Sequence, residues 1–373
     1  MFFLNYFNVW SFSFFFVLTY TTLAFSLLIY LIPITSSTGN TVFSSKFRNN
    51  FYIISGLEVG LFFFTPLIIF SFVNLTFFSP IITAWFGHII FGGFQTKMLY
   101  LISFTFYLLL LLFLSSSYLS SNEIYDFLIA KVNTYYWVLF LFLSNSLFTV
   151  IFVIEVLSTL VFLLITTSVF STTFFYKNIS FDSKIFLQNT TPFAFIQSLL
   201  FYFWVSLLSS LNLFVFLIFF YNNVLTLDWF LVEHIFTYVV NVSHNKELLI
   251  VGLSWFFIIF SIFLKCGIVP LFLWKPTFFK GLSFNLLIFY ILFFYFFLFL
   301  FFINFLSIYL HSIFYFYSFI ILFFVLIGLF FLFFILCESF YLKIFFAVSS
   351  ILNSLLVMLS LLSIHNLDFL FFL

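Results

Sequence analysis

Lys265-Cys266-Gly267-Ile268-Val269-Pro270-Leu271-Phe272-Leu273-Trp274-Lys275-Pro276-Thr277-Phe278-Phe279-Lys280-Gly281 closes an apolar run that opens near Leu249. Pro270 removes a backbone donor, so the spacing predicts a helix that breaks or kinks just after Lys265. A broken helix at membrane depth is tolerated only against protein or water. A lysine beside such a break has its proton affinity set by burial and by a partner carboxylate. This is the physical form of a proton-relay site. The plainer alternative is a proline-kinked helix with an incidental lysine.

The whole chain has the same apolar character. Of 373 residues, 66% are hydrophobic and 6% charged, against about 25% charged in a soluble domain. Most of the surface must therefore face lipid, as the mean hydropathy of +1.34 agrees. A net charge of +1 argues against nucleic acid or an acidic soluble partner. The 77 phenylalanines read as compositional bias of an AT-rich genome, as in organelles, rather than as an aromatic site. Cys266 and Cys337 form no CxxC or metal spacing. The N-terminus lacks the basic region of a cleavable signal.

Backbone groups in lipid must bond within their own segment, so long apolar runs read as helices. The expected fold is all-α, a polytopic transmembrane bundle of roughly ten helices near the ~20-residue bilayer length. The spans are 10–34, 53–79, 98–118, 125–143, 146–170, 193–221, 249–273, 283–306, 311–337 and 345–363. They divide into an N-terminal group of about four helices over 1–144 and a core of about six over 145–373. The stretch around Asp228 to His244 reads as a short interfacial helix. Loops after odd-numbered spans hold Lys46, Arg48, Lys177, Lys184, Lys275, Lys280 and Lys343, while those after even-numbered spans hold Lys97 and Lys246. This bias puts the odd loops on the matrix or cytoplasmic side.

Charges inside spans are few. Glu155 lies mid-span in Phe152-Val153-Ile154-Glu155-Val156-Leu157, and Lys265 lies well inside its own. Each ion costs about 2.5–3.5 kcal/mol at the bilayer centre on insertion scales. Such a cost persists where the residue lines a polar cavity, pairs, or moves protons. Glu58, near a span end, reads as an interface residue. His88, His234, His244, His311 and His365 have no mutual metal spacing. Trp10, Tyr52, Trp137, Trp229 and Trp255 read as interface anchors. With no P-loop, dinucleotide fingerprint or CxxC, the chain is expected to carry no redox cofactor and no metal.

Three segments together carry a resemblance. Lys265, Pro270, Trp274, Pro276 and Gly281 fill in register a signature similar to that of subunit 2 of the proton-pumping NADH:ubiquinone oxidoreductase (respiratory complex I) and its antiporter-like relatives. Asn145 to Ser158 resembles the family's helix with an intramembrane carboxylate, at Glu155. Leu342 to Ile351 resembles its Leu-Lys-Arg-Leu-Leu-Ala-Tyr-Ser-Ser-Ile segment. Subunit 4 would want a histidine shortly after Trp-x-Pro, and subunit 5 would be much longer. The resemblance implies a proton-translocating membrane-arm subunit, multi-pass in the mitochondrial inner membrane, with Glu155 and Lys265 as translocating residues and Pro270 at the helix break. It implies other membrane-arm subunits and membrane lipid as partners. The chain stops about ten helices in, so by this resemblance the family's C-terminal helices either come from a separate polypeptide, a further partner, or are lost.

This sequence also departs from the pattern. The family histidine between proline and tryptophan is Phe272. The expected sixth-helix lysine falls near Phe201, with Gln197 the nearest polar side chain on that face, and the eighth-helix lysine falls near Tyr295. Ser171 to Thr191 is an insertion. Two other functions therefore compete with the pump: a structural scaffold that no longer pumps, and a stand-alone cation/proton antiporter.

Overall fold

The computed structural model describes residues 82–84, 87–91, 93–116, 121–175, 192–225, 227–228, 231–232, 234–235, 237–238, 245–308, 318–337 and 341–361. The expected spans 10–34 and 53–79, and Glu58, Trp10, Tyr52, Trp229, His244, His311, His365, Lys46, Arg48, Lys177 and Lys184, lie outside the described residues.

The fold is an all-α membrane bundle. After a small hairpin, β1 (Ile82–Ala84) and β2 (Ile89–Phe91), come α1 (Gly93–Ser116), α2 (Ser121–Leu143), α3 (Leu147–Phe175), α4 (Pro192–Val224) and α5 (Asn245–Cys266). Then follow the short α6 (Trp274–Gly281), α7 (Phe284–Phe289), a π-helical segment Tyr290–Tyr295, α8 (Phe296–Ile308), α9 (Ser318–Cys337) and α10 (Leu342–Leu361). Each expected span on described residues falls on helical structure, with 283–306 divided among α7, the π-helical segment and α8, and 249–273 ending early. Among the described residues, five stretches are long and apolar enough to cross a bilayer: Leu147–Thr167, Ala194–Asn222, Leu286–Leu306, Ser318–Cys337 and Leu342–Leu359.

The chain separates into two compact units, residues 1–144 with 166–178, and residues 145–165 with 179–373. In the first, the hairpin turns at Gly87, whose φ of 88° favours a residue without Cβ. There α1 packs on α2 and both touch β2, with Phe106 stacked on Tyr135 at 4.5 Å. The hairpin has no counterpart among the expected elements, because Ile82–Ala84 and Ile89–Phe91 are too short for alternation to register.

The second unit holds the break. There α4 packs against α5 and α6, and α10 packs against α6, α8 and α9. Ser146 starts α3: its hydroxyl accepts the Thr149 N–H at 3.3 Å, while its own N–H donates to the Thr149 hydroxyl at 3.3 Å. This reciprocal cap satisfies donors a helix start leaves open. At the other end of the unit's chemistry, α5 stops at Cys266, short of the expected 273.

Gly267, rather than Pro270, ends that helix. Its φ is 63°, its N–H donates to the Leu264 carbonyl at 3.3 Å, and the Ile268 N–H donates to the Phe263 carbonyl at 2.9 Å. This hydrogen-bond pair closes a helix around a left-handed residue, which glycine adopts without a Cβ penalty. Pro270 follows in the turn, four residues after Cys266. Val269 of that turn is fully buried and fills the space where Gly328 of α9 lacks a side chain; a Cβ on Gly328 would overlap the valine.

Candidate functional site

The backbone of α3 carries Glu155, and the last turn of α5 carries Lys265, one residue before the helix end. The structure brings them together: Lys265 Nζ donates to Glu155 Oε1 at 2.8 Å. The lysine side chain is 6% exposed and the carboxylate 25%. Ser158, one turn along α3, donates its hydroxyl to the Glu155 carbonyl at 2.7 Å and approaches Oε2 at 3.5 Å. Two ions meet here in surroundings where each alone is expensive. Pro270 sits half-buried in the turn beyond the lysine and touches neither ion head through any polar contact.

Around the break, side chains take up backbone acceptors that the helix end exposes. Trp274 Nε1 donates to the Leu264 carbonyl at 3.1 Å. Lys275 Nζ donates to the Cys266 carbonyl at 3.3 Å and lies 3.5 Å from the Tyr295 ring centroid. Desolvated cation–π contacts of this kind are worth about 2 kcal/mol or more.

Lys275 is the residue the sequence reading misplaced. Read as a loop lysine, it is instead fully buried. The reason is the break: α6 turns back into the unit, so Trp274 and Lys275 enter the core instead of leaving it. The signal available was its place between Trp274 and Pro276, in a segment with apolar neighbours on both sides. Lys280 is exposed, and Lys343, at the start of α10, donates to the Leu282 carbonyl at 2.7 Å. Without Lys275, the remaining loop cations still favour the odd side.

The two departures at the sixth and eighth helices resolve to tyrosines. Gln197 and Phe201 both point outward from α4. Tyr202, one residue and ~100° further round the helix, is buried instead, and its hydroxyl donates to the Ser158 carbonyl at 3.2 Å. Its ring meets Trp274 and Phe278. Tyr295 closes the π-helical segment and donates to the Ser350 carbonyl at 3.3 Å. The i→i+5 bonding of a π segment brings residues five apart close to one face. Tyr290, at its start, packs on Phe278 and Phe279 of α6, the helix whose Lys275 meets Tyr295.

Other expectations take simpler places. His88 is exposed in the hairpin turn, and His234 is exposed. Trp255, expected at an interface, is buried in α5, since its face of the helix turns inward. Among the described residues, no three His, Cys, Asp or Glu side chains group as a metal site.

No family model matches the chain, and no curated protein matches it. Among solved structures it is similar to a chain of the membrane-bound sulfane sulfur reductase, an archaeal respiratory membrane complex, with a TM-score of 0.59 and 13% identity. The match covers 92% of this chain and 64% of that one. At this identity the likeness is one of fold.

Proposed function

We propose that this chain is a membrane-arm subunit of a respiratory complex and takes part in proton translocation coupled to NADH oxidation and ubiquinone reduction. The observation that carries the reading is the Glu155–Lys265 ion pair, closed at 2.8 Å beside the helix break. A fold shared with a chain of a respiratory membrane complex supports it, as do the three ordered sequence segments.

The pair supplies a cycle in which charge and protons balance. When the break moves the lysine away, two unpaired ions stand in low-dielectric surroundings, which favour neutral forms. The carboxylate takes a proton from one side and the ammonium releases one toward the other. When the pair closes again, the Glu155 carboxyl hands its proton to the Lys265 amine and the ion pair returns. One proton has then crossed. The bistable element such a cycle needs is the break between α5 and α6. Redox energy from elsewhere in the assembly drives the opening.

The scaffold reading keeps one specific support: Tyr202, one residue beyond the Phe201 near which the family pattern expects a lysine, and Tyr295, near the other expected lysine, are tyrosines whose hydroxyls both bond to backbone carbonyls. A Lys265→Met variant separates the two. The pump reading expects assembled complex with impaired proton translocation per electron; the scaffold reading expects less complex, each copy pumping normally. Cation exchange by the purified chain alone would favour the antiporter. The partners of the pump reading are the other membrane-arm subunits and membrane lipid, in the mitochondrial inner membrane.

A further inference from the structure

Lys275 is a second buried cation that the cycle above does not use. It sits in the first turn of α6, where a positive charge opposes the helix dipole. Its side chain leaves that helix and crosses the break to the carbonyl end of α5, where the dipole favours a cation. There Nζ has the Cys266 carbonyl at 3.3 Å and the Tyr295 ring face at 3.5 Å, with Phe279 at 6.0 Å. An ammonium has three donors, and one carbonyl accepts here. Glu155 is taken up by Lys265, and among the described residues no carboxylate pairs with Lys275.

The titratable groups around Lys275 are the Cys266 thiol and Lys265 on α5, the Tyr290 and Tyr295 phenols on the π segment, and the Tyr202 phenol on α4, whose ring meets Trp274 beside the lysine. On α10, Lys343 is bonded away to the Leu282 carbonyl. The ring face and the helix end favour the ammonium, complete burial without a carboxylate favours the amine, and the carbonyl suits either form: an amine keeps an N–H for it and gains a lone pair.

We propose that Lys275 is a second proton-binding residue, held across the break from Lys265 by the Cys266 carbonyl and the Tyr295 ring. The amine takes one proton to become the ammonium and returns it to solvent or a water chain on release. Its binding of a proton stands apart from the respiratory reading; a part in translocation rests on that reading.

The test uses the full chain in lipid nanodiscs with ¹⁵N at the lysine Nζ, followed by NMR across pH. One resonance, absent from both Lys275→Met and Lys275→Arg, is expected to move between the ammonium and amine positions. A resonance that stays at the ammonium position throughout the range in which the protein remains folded would overturn the proposal. Either variant suffices for assignment, so a folding failure of one does not block it. In the assembled complex, Lys275→Arg keeps the charge but cannot release a proton, and loss of translocation per electron is expected. Native translocation by that variant would overturn the transport role. Lys265→Met measured alongside reports on the ion-pair reading separately, because the titration itself needs no electron transfer.

Discussion

Lys265 and Glu155 lie 110 residues apart in sequence and share a hydrogen bond of 2.8 Å. Removing one partner of a buried pair leaves an uncompensated charge and costs about 3–5 kcal/mol when burial is complete. Glu155 is a quarter exposed, so a smaller loss is expected here. Lys265→Met and Glu155→Gln should each lower the thermal unfolding midpoint, and the double variant should recover most of the loss. Additive losses in the double variant would contradict a direct pair.

Gly267 ends α5 in a left-handed conformation, and a Cβ there would meet Lys275 Cδ at 3.0 Å. Gly267→Ala should therefore destabilise the chain by about 1 kcal/mol or more. Chemical denaturation in mixed micelles measures it. A neutral result would place the helix end's cause elsewhere, at Pro270.

The turn of the break is seated on α9. Gly328→Ala overlaps Val269, and overpacking of this kind costs about 1–3 kcal/mol. Val269→Ala in the same chain should restore part of that stability. Absence of any rescue would show that the two positions do not touch.

Tyr202→Phe removes a buried hydroxyl that donates to the Ser158 carbonyl, one turn beyond Glu155. A loss of about 1 kcal/mol is expected. If the hydroxyl also orients the Ser158 region around the carboxylate, translocation falls further than stability; an unchanged rate limits Tyr202 to packing.

Much of the fold was legible because lipid leaves the chain few options. Runs of Phe, Leu and Ile without charges have to be helices, and Pro270 after Lys265 announces a break, although Gly267 is the residue that ends the helix. Glu155 and Lys265 stand out as ions where ions are costly. What stayed hidden depends on direction after the break. Lys275 looked like a loop cation because sequence spacing does not say that α6 folds back inward. Tyr202 was missed by a single residue, since a uniform run of aromatics such as Phe201-Tyr202-Phe203 gives no amphipathic pattern to show which face is buried. The π segment at Tyr290–Tyr295 likewise has no composition signal, yet it sets Tyr295 under the lysine.

The most direct measurement is proton uptake or release per electron by the assembled, lipid-reconstituted complex carrying Lys265→Met, normalised to the amount of complex. The ion-pair cycle predicts fewer protons moved per electron while electron transfer continues. An unchanged ratio in fully assembled complex would contradict it.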